Sequence, residues 1–536
     1  MESPRNADRG TLAARRIGVY GWGVVAPGAA DVASLERLLV SGTTALAPSH
    51  RLDLGLGLFA AGEPDFSFDD YAGWIADRRG EAYVARMRNK MGDNVQFAVG
   101  ATIQALQTDG RLEALVREAD EACSVFIGSG VGDLPISYRA ATSLDRARRR
   151  WNRFWASSQH CGARRRFDAE GIAPSPGPPD DPASYPLDSV ERSDVAAAWD
   201  AYWAARSEEL RSFLERYAAI EHLDADDEDQ EKAHLNAIRK RLRAHRALVD
   251  EVGCPLPPWS AVSANLIWNI QNAPAAQVSM LLDIHGPAWA PVAACSTFGV
   301  ALKCGRDAIL RGEARLAIVG TTDPRPDPAL VGAFHDARVM PGIGEVNMPF
   351  TSLRGTHVSG GSCVWILGDA AWCEDRGLRP VGGYVEAVAL SSDAEHIITP
   401  SKSGPKRALL RAYREANIGP GDVGVIDLHA TGTPGDLNEL ALVDEFIGEA
   451  TLITARKGQL GHGMANSGGW ELTALALGLA GRAALPTGIR ADAVHGRVRH
   501  PASIVGVDRA PINRAVGVKL MLGIGGITAC VVMRGR

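Results

Sequence analysis

Cys295 stands in the run PVAACSTFGVALKCG, where a stretch of small residues passes into a helical pattern. A thiol at such a junction meets the positive end of the helix dipole and free backbone N–H groups, which favours thiolate and makes it a candidate nucleophile. A small buried cysteine is also an ordinary core residue, and the run alone leaves both readings open. Cys304, inside the helix that follows, has no comparable placement and reads as core. Downstream, VIDLHATGTP delivers His429 at the end of an apolar strand, a place where strand ends line crevices. A satisfied core histidine has the same pattern. TARKGQLGHGMANSGGWELTALALGLAG carries Lys457 and His462 around a glycine-rich loop and Glu471 on an apolar helix. A buried lysine and glutamate in that company are costly unless they pair with each other. Last, VKLMLGIGGITACVVM places Gly523, Ile524, Gly525 and Gly526 between two apolar runs, where backbone N–H groups can face a reacting atom.

Alternating strands and helices must position these groups. RIGVYGWGVVAP reads as a strand and DVASLERLLVSG as a helix with an Asp N-cap and a Gly stop. NVQFAVGATIQALQ is apolar at helical spacing, and CSVFIGSGVGD is a buried strand. AWAPVAACS, ARLAIVGTTD and SCVWILGDA are further strands. From about Arg379 the pattern restarts: strand YVEAVALSS, helix SGPKRALLRAYREANI, strand VGVIDLHATGT, helix DLNELALVDEFIG and strand TLITA. This rhythm predicts a parallel sheet covered on both faces, in two similar α/β halves. Residues 135–258 break it with a basic, aromatic stretch, a proline-rich loop and two long amphipathic helices around the acidic turn DADDEDQ. Its tryptophans 151, 155, 199 and 203 form i, i+4 pairs, which read as an added core or oligomer contact more readily than as a ligand site. The arginine run reads as a solvated face, with an acidic partner as the alternative.

The bulk properties exclude several classes. At 536 residues the chain holds one very large core or two to three packed units. Its 46% hydrophobic and 22% charged residues are those of a globular protein. A net charge of −6 supplies no overall attraction to nucleic acid or anionic membrane. No apolar stretch is long enough to span a bilayer. The eight scattered cysteines form no C-x-x-C pair, so reduced thiols in a cytoplasmic compartment are expected. AARRIGVYGWGVVAPGAA has the twin arginines of an export signal but reads better as a first core strand, and residues 1–14 as a disordered tail.

Taken in order, these residues resemble the β-ketoacyl-acyl-carrier-protein synthases, the condensing enzymes of fatty-acid and polyketide synthesis. AACST with Cys295 resembles the family's nucleophile elbow, HATGTP its H-G-T-G-T-P motif, and KGQLGH its K-S-x-x-G-H. Glu471 matches the glutamate beyond the second histidine, and GIGG the G-F-G-G loop. GAFHDARVM, with Phe334 as the matching phenylalanine, and MPFTSLRGTHVSGG resemble the segments between. The resemblance covers about residues 15–134 and 259–533; the insertion matches nothing recognisable.

The resemblance implies an α/β, thiolase-like fold of two similar halves in αβαβα layers: 15–370, interrupted by the helical insertion, and 371–536. It implies that Cys295 accepts an acyl chain from a carrier-protein or CoA thioester, with the Cys295 and Ile524 N–H groups as oxyanion hole and Gly523 and Gly525 shaping it. His429 and His462 would support decarboxylation of a malonyl-type extender. Lys457, paired with Glu471, would hold them, and Thr431 and Thr433 would bind pantetheine or the extender carboxylate. No metal and no cofactor beyond the substrates' phosphopantetheine is implied. The partners implied are an acyl carrier protein and a second subunit, identical or related. Ile524 stands where the family has a gating phenylalanine, Gly361 where it has an acid, Ala430 for a glycine and Gly458 for a serine. These departures bear on substrate shape. Acyl transfer to an amine or alcohol, hydrolysis, and a chain-length-shaping subunit are the alternatives.

Overall fold

The computed structural model describes residues 15–536 apart from 53, 54, 56, 58, 224–229, 396–400 and 402. The expected tail over 1–14 and most of the acidic turn lie outside the described residues. The chain divides into two compact units. One joins the segment up to Pro135 with Ile267–Arg536, and the other is Ile136–Leu266.

Ten strands form the main sheet of the larger unit: β1 (Ile17–Val25), β2 (Cys123–Gly128), β3 (Ala288–Trp289), β4 (Leu316–Asp323), β5 (Gly361–Asp369), β6 (Tyr384–Ser392), β7 (Val423–Asp427), β8 (Leu452–Thr454), β9 (Val516–Gly523) and β10 (Ile527–Arg534). Their spatial order is β8-β7-β9-β10-β6-β1-β5-β4-β2-β3. Cut between β6 and β1, this is one five-strand topology used twice. In each half the third, second and fourth strands run parallel, and the fifth and first add on antiparallel. The expected all-parallel sheet is thus corrected to a mixed one. Parallel neighbours need a long crossover, and the short turn between Gly523 and Ile527 permits only a hairpin. The third strand of the first half is also shorter than expected: only Ala288 and Trp289 pair, before Pro291 ends the run.

Among the helices that cover this sheet are α1 (Asp93–Gln107), α2 (Ala273–Leu282), α3 (Thr297–Leu310), α4 (Ser403–Ala416), α5 (Gly435–Val443) and α6 (Ser467–Ala480). Period-two alternation sends each strand's side chains to two layers. On β5, Cys363, Trp365 and Leu367 face a layer shared by both halves, and Val364 and Ile366 face the outside layer built by α1 and α2. On β10, Ala529, Val531 and Met533 face the shared layer, and Cys530 and Val532 face α4 and α5. Helices α3 and α6 fill the shared layer, giving helix–sheet–helix–sheet–helix. The sequence of α6, SGGWELTALALGLA, is apolar all round, which is the pattern of a helix buried on every side.

The smaller unit is helical. Its expected first long helix is broken into Val190–Ala204 and Glu208–Glu221, because the Ser207 hydroxyl accepts from Leu210 N (2.9 Å) and caps the second piece. Trp151 and Trp155 are buried with Phe213 and Leu248, and Trp199 and Trp203 with Cys161. The expected insertion over 135–258 and this unit differ at the far end, where Trp259 packs edge-on against Tyr217 at 5.7 Å.

Candidate active site

The nucleophile elbow is a short turn, Ala294–Ser296, just ahead of α3. Ala294 sits at φ +48°, a left-handed conformation that costs a non-glycine residue roughly 1–2 kcal/mol. Hydroxyls on either side hold it there. Thr297 Oγ1 accepts from Ala293 N (2.9 Å) and donates to Ala294 O (2.6 Å). Ser296 Oγ reaches Ile527 O (2.8 Å) and Met521 O (3.1 Å), tying the elbow to the β9–β10 hairpin. Gly128 at the end of β2 lets the Pro291 carbonyl cross where any Cβ would collide.

Cys295 is buried, and burial pushes its thiol up to about 11 against the opposing pull of the Lys457 ammonium and of an Ile524 N–H directed at the sulfur. In place of the lowering expected at a helix terminus, burial raises the thiol, which favours the protonated form. Facing it are two imidazoles. Cys295 Sγ and one ring nitrogen from each of His429 and His462 lie within 4.8 Å of one another. The two rings meet edge-on, 5.4 Å between centroids. Burial, assisted by the Lys457 charge, holds His462 down to about 3 and His429 well below its usual value, so both are neutral near pH 7. His462 Nδ1 accepts from Met464 N (3.1 Å), which puts its proton on Nε2 and turns the free side of the ring into a donor. That tautomer suits an oxyanion and opposes metal ligation, which needs a bare nitrogen.

Two buried carboxylates of α5 shape the turn that carries His429. Glu439 accepts from His429 N (2.6 Å) and Ala430 N (2.8 Å), and Asp436 from Thr431 N (2.8 Å), Gly432 N (3.0 Å) and Phe350 N (3.0 Å). Burial raises Asp436 to about 6 and Glu439 to about 7 despite these donors. His462 is gripped through its backbone, donating to His357 O (2.6 Å) and accepting from Ser359 N (2.9 Å). Lys457 does not line the cavity. It sits behind His429, donating to the His429 carbonyl and to Glu471 Oε1 (2.9 Å).

The cavity in front holds about 500 Å³ and is mainly apolar. Cys295, His429, His462, Gly523 and Ile524 line it, and so do Thr431, Thr433 and Phe334. The two threonine hydroxyls lie 3.0 Å apart. Ile524 is 46% exposed. Gly525 does not line the cavity; at φ +92° it makes the turn behind it.

Sequence reasoning missed several supporting residues. Asp323, at the end of β4, accepts from Ser129 Oγ (2.7 Å), Gly130 N (2.9 Å), Val131 N (3.0 Å) and Ala465 N (2.8 Å), and so anchors the chain just beyond His462. Lys519, Asp427 and Arg456 extend the Lys457–Glu471 pair into a buried ion network. The available signal was an isolated charge inside each apolar strand, in VGVKLMLG and VGVID.

Comparison with known proteins agrees with this geometry. The family models described as "Beta-ketoacyl synthase, N-terminal domain" and "Beta-ketoacyl synthase, C-terminal domain" match residues 14–164 with 254–364, and 383–488. The 3-oxoacyl-[acyl-carrier-protein] synthase 2 of Staphylococcus aureus (strain COL) is 26% identical over 304 residues, 54% of this chain and 70% of its own. A β-ketoacyl synthase from Burkholderia phymatum STM815 shares the fold with a TM-score of 0.68 at 16% identity, over 97% of this chain and 100% of its own. The ishigamide ketosynthase/chain length factor does so at 0.65 and 18% identity, over 97% and 99%. With its nucleophile elbow, paired histidines and doubled five-strand topology, this chain belongs to the β-ketoacyl synthase family.

Proposed function

We propose that the chain is a condensing acyltransferase of fatty-acid or polyketide synthesis, joining an acyl group held on Cys295 to a malonyl-type thioester presented by a carrier protein. The observation that carries this reading is a cysteine thiol and two neutral imidazoles within 4.8 Å, opening on a largely apolar cavity.

In the first half-reaction the Cys295 sulfur attacks the incoming thioester carbonyl, and its proton passes through a neighbouring imidazole to the departing carrier thiolate. The developing oxyanion is met by the Ile524 and Cys295 N–H groups; loss of one such donor costs about a hundredfold or more. In the second, the extender's carboxylate leaves as CO2 and the electron pair moves onto its thioester oxygen as an enolate. Neutral His429 and His462 donate hydrogen bonds to that oxygen, an interaction stronger in the transition state than in the ground state. The enolate carbon then attacks the Cys295 thioester, forming the carbon–carbon bond and releasing the thiolate. Thr431 and Thr433 are placed to hold the pantetheine arm, and Phe334 bounds the acyl space. Every reactive group belongs to this chain or its substrates, so no metal or resident cofactor enters.

A carrier-protein partner is supported by the name of the Staphylococcus aureus relative. A second subunit, identical or related, is supported by the edge strand β3, where Trp289 and nearby Val292 remain about half exposed. Eight free cysteines support a reducing, cytoplasmic compartment. Among the described residues no helix is long and apolar enough to cross a membrane.

The test is incubation with acyl- and malonyl-carrier protein, following mass on Cys295 and release of CO2. Acylation with CO2 release and a ketoacyl product supports condensation. Acylation without CO2 release points to transfer or hydrolysis, and no acylation sinks the Cys295 mechanism.

A further inference from the structure

Lys519 interrupts an otherwise apolar strand. Along β9, Val516, Val518 and Leu520 face the outer layer and Met521 the shared one, so alternation turns Lys519 into the shared layer, where its side chain is fully buried. At the matching fourth position of β4 stands Val319, apolar and in that same layer, so the sheet closes without a charge there. A buried ammonium is expensive unless it is paired and hydrogen-bonded, and here it donates to Asp427 Oδ1 (2.7 Å) and Leu428 O (3.0 Å) and forms an ion pair with Glu471 Oε2 at 2.6 Å. Asp427 is held in turn by Thr454 Oγ1 (2.7 Å), with Arg456 Nε at 3.7 Å. Glu471 therefore bridges two ammoniums. Lys457 takes the His429 carbonyl and Lys519 the Leu428 carbonyl, so the peptide groups on either side of the histidine are both clamped.

We propose that Lys519 is a positioning residue for His429: with Lys457, and through the shared Glu471 carboxylate, it locks the peptide groups that aim the imidazole and keeps a permanent cation behind the ring. The kinetic part rests on the condensing reading of the site. The groups facing His429 are Cys295 from the elbow, Asp436 and Glu439 from α5, Lys457 and His462 from the glycine-rich segment, Glu471 from α6 and Lys519 from β9. After burial, the Lys457, His462 and Lys519 fields all favour the neutral ring, the form that donates to an enolate without first losing a proton.

The test compares wild type with Lys519→Arg, Lys519→Met and the charge-balanced pair Asp427→Asn/Lys519→Met, which removes both ends of the ion pair should Lys519→Met alone fail to fold. Folding is checked by circular dichroism and Cys295 competence by iodoacetamide labelling. The folded double variant is expected to label within about twofold of wild type and to release CO2 from a malonyl thioester about tenfold or more slowly. The acid limb of its rate should move to higher pH, and Lys519→Arg should recover most of the rate. An unchanged rate and unshifted limb in the folded double variant overturn the proposal. Imidazole 15N signals of His429 give a readout without turnover: a changed tautomer balance or earlier protonation supports the clamp, and signals identical to wild type overturn it. Wild type that releases no CO2 defeats the condensing reading while the imidazole signals still decide Lys519.

Discussion

The two halves of the sheet repeat one topology but use their interiors differently. In the first half, β4 carries no charge until Asp323 at its very end, and the cysteine elbow immediately precedes α3, the helix leading into it. In the second, the corresponding β9 carries Lys519 mid-strand, and the corresponding α6 carries Glu471 in an apolar layer. Both halves stabilise the loop after their second strand with a buried carboxylate: Asp323 receives Gly130 and Val131 N–H groups, and Glu439 receives those of His429 and Ala430. The difference teaches where the electrostatics are needed. A thiol that rests protonated asks only for a rigid elbow, whereas imidazoles that must stay neutral beside a developing anion need a fixed cationic background, and that background requires its own counter-charges.

The first way to break this comparison is to remove the nucleophile. Cys295→Ala should abolish acyl labelling and lower condensation by about a thousandfold or more, while Cys304→Ala, within α3, leaves both intact; label persisting in Cys295→Ala would end the assignment. The second sets the halves against each other. Glu471→Gln leaves buried Lys457 without its carboxylate and Lys519 with Asp427 alone, and should cost about 3–5 kcal/mol, whereas Ile318→Val in the apolar stretch of β4 should cost about 0.5–1.5 kcal/mol. Equal costs by chemical denaturation would show that the charged interior is not special.

A smaller effect concerns pH. Burial raises Glu439 from an ordinary 4.5 to about 7, so between those values the folded protein holds a proton that the unfolded chain has released. Its contribution to stability is complete below the lower value and is lost as pH rises through the upper one. Wild type should therefore lose more melting temperature than Glu439→Gln when pH is raised from 5 to 8, and parallel slopes would contradict the burial argument. Smallest is the gate. Ile524→Phe narrows the cavity and should lower kcat/KM several-fold for long acyl thioesters while sparing short ones, as single-residue pocket changes do; an equal fall for both would remove Ile524 from substrate selection.

Much of this protein was legible in its sequence. Alternating periodicity gave the strands and helices of both halves; local pattern left Cys295 and His429 open to a core reading, and Cys295, His429, Lys457, His462 and Glu471 became an ordered set through their resemblance to the condensing-enzyme motifs. Local pattern could not reveal pairing direction, so the sheet was read as parallel; hydrogen-bond partners are chosen by crossover length and chain path, not by strand composition. The thiol was read as acidified because a helix terminus is visible in sequence and depth of burial is not. Lys519, Asp427 and Asp323 went unnoticed for a related reason: a charge in a strand acquires meaning only when the strand opposite it is known. The sequence by itself determined which groups are available and the periodicity of the elements that carry them. Only the tertiary structure decided which groups meet within 4.8 Å, which charges balance one another and whether a thiol or thiolate rests at the elbow, because desolvation and Coulomb energies depend on neighbours in space rather than neighbours in the chain.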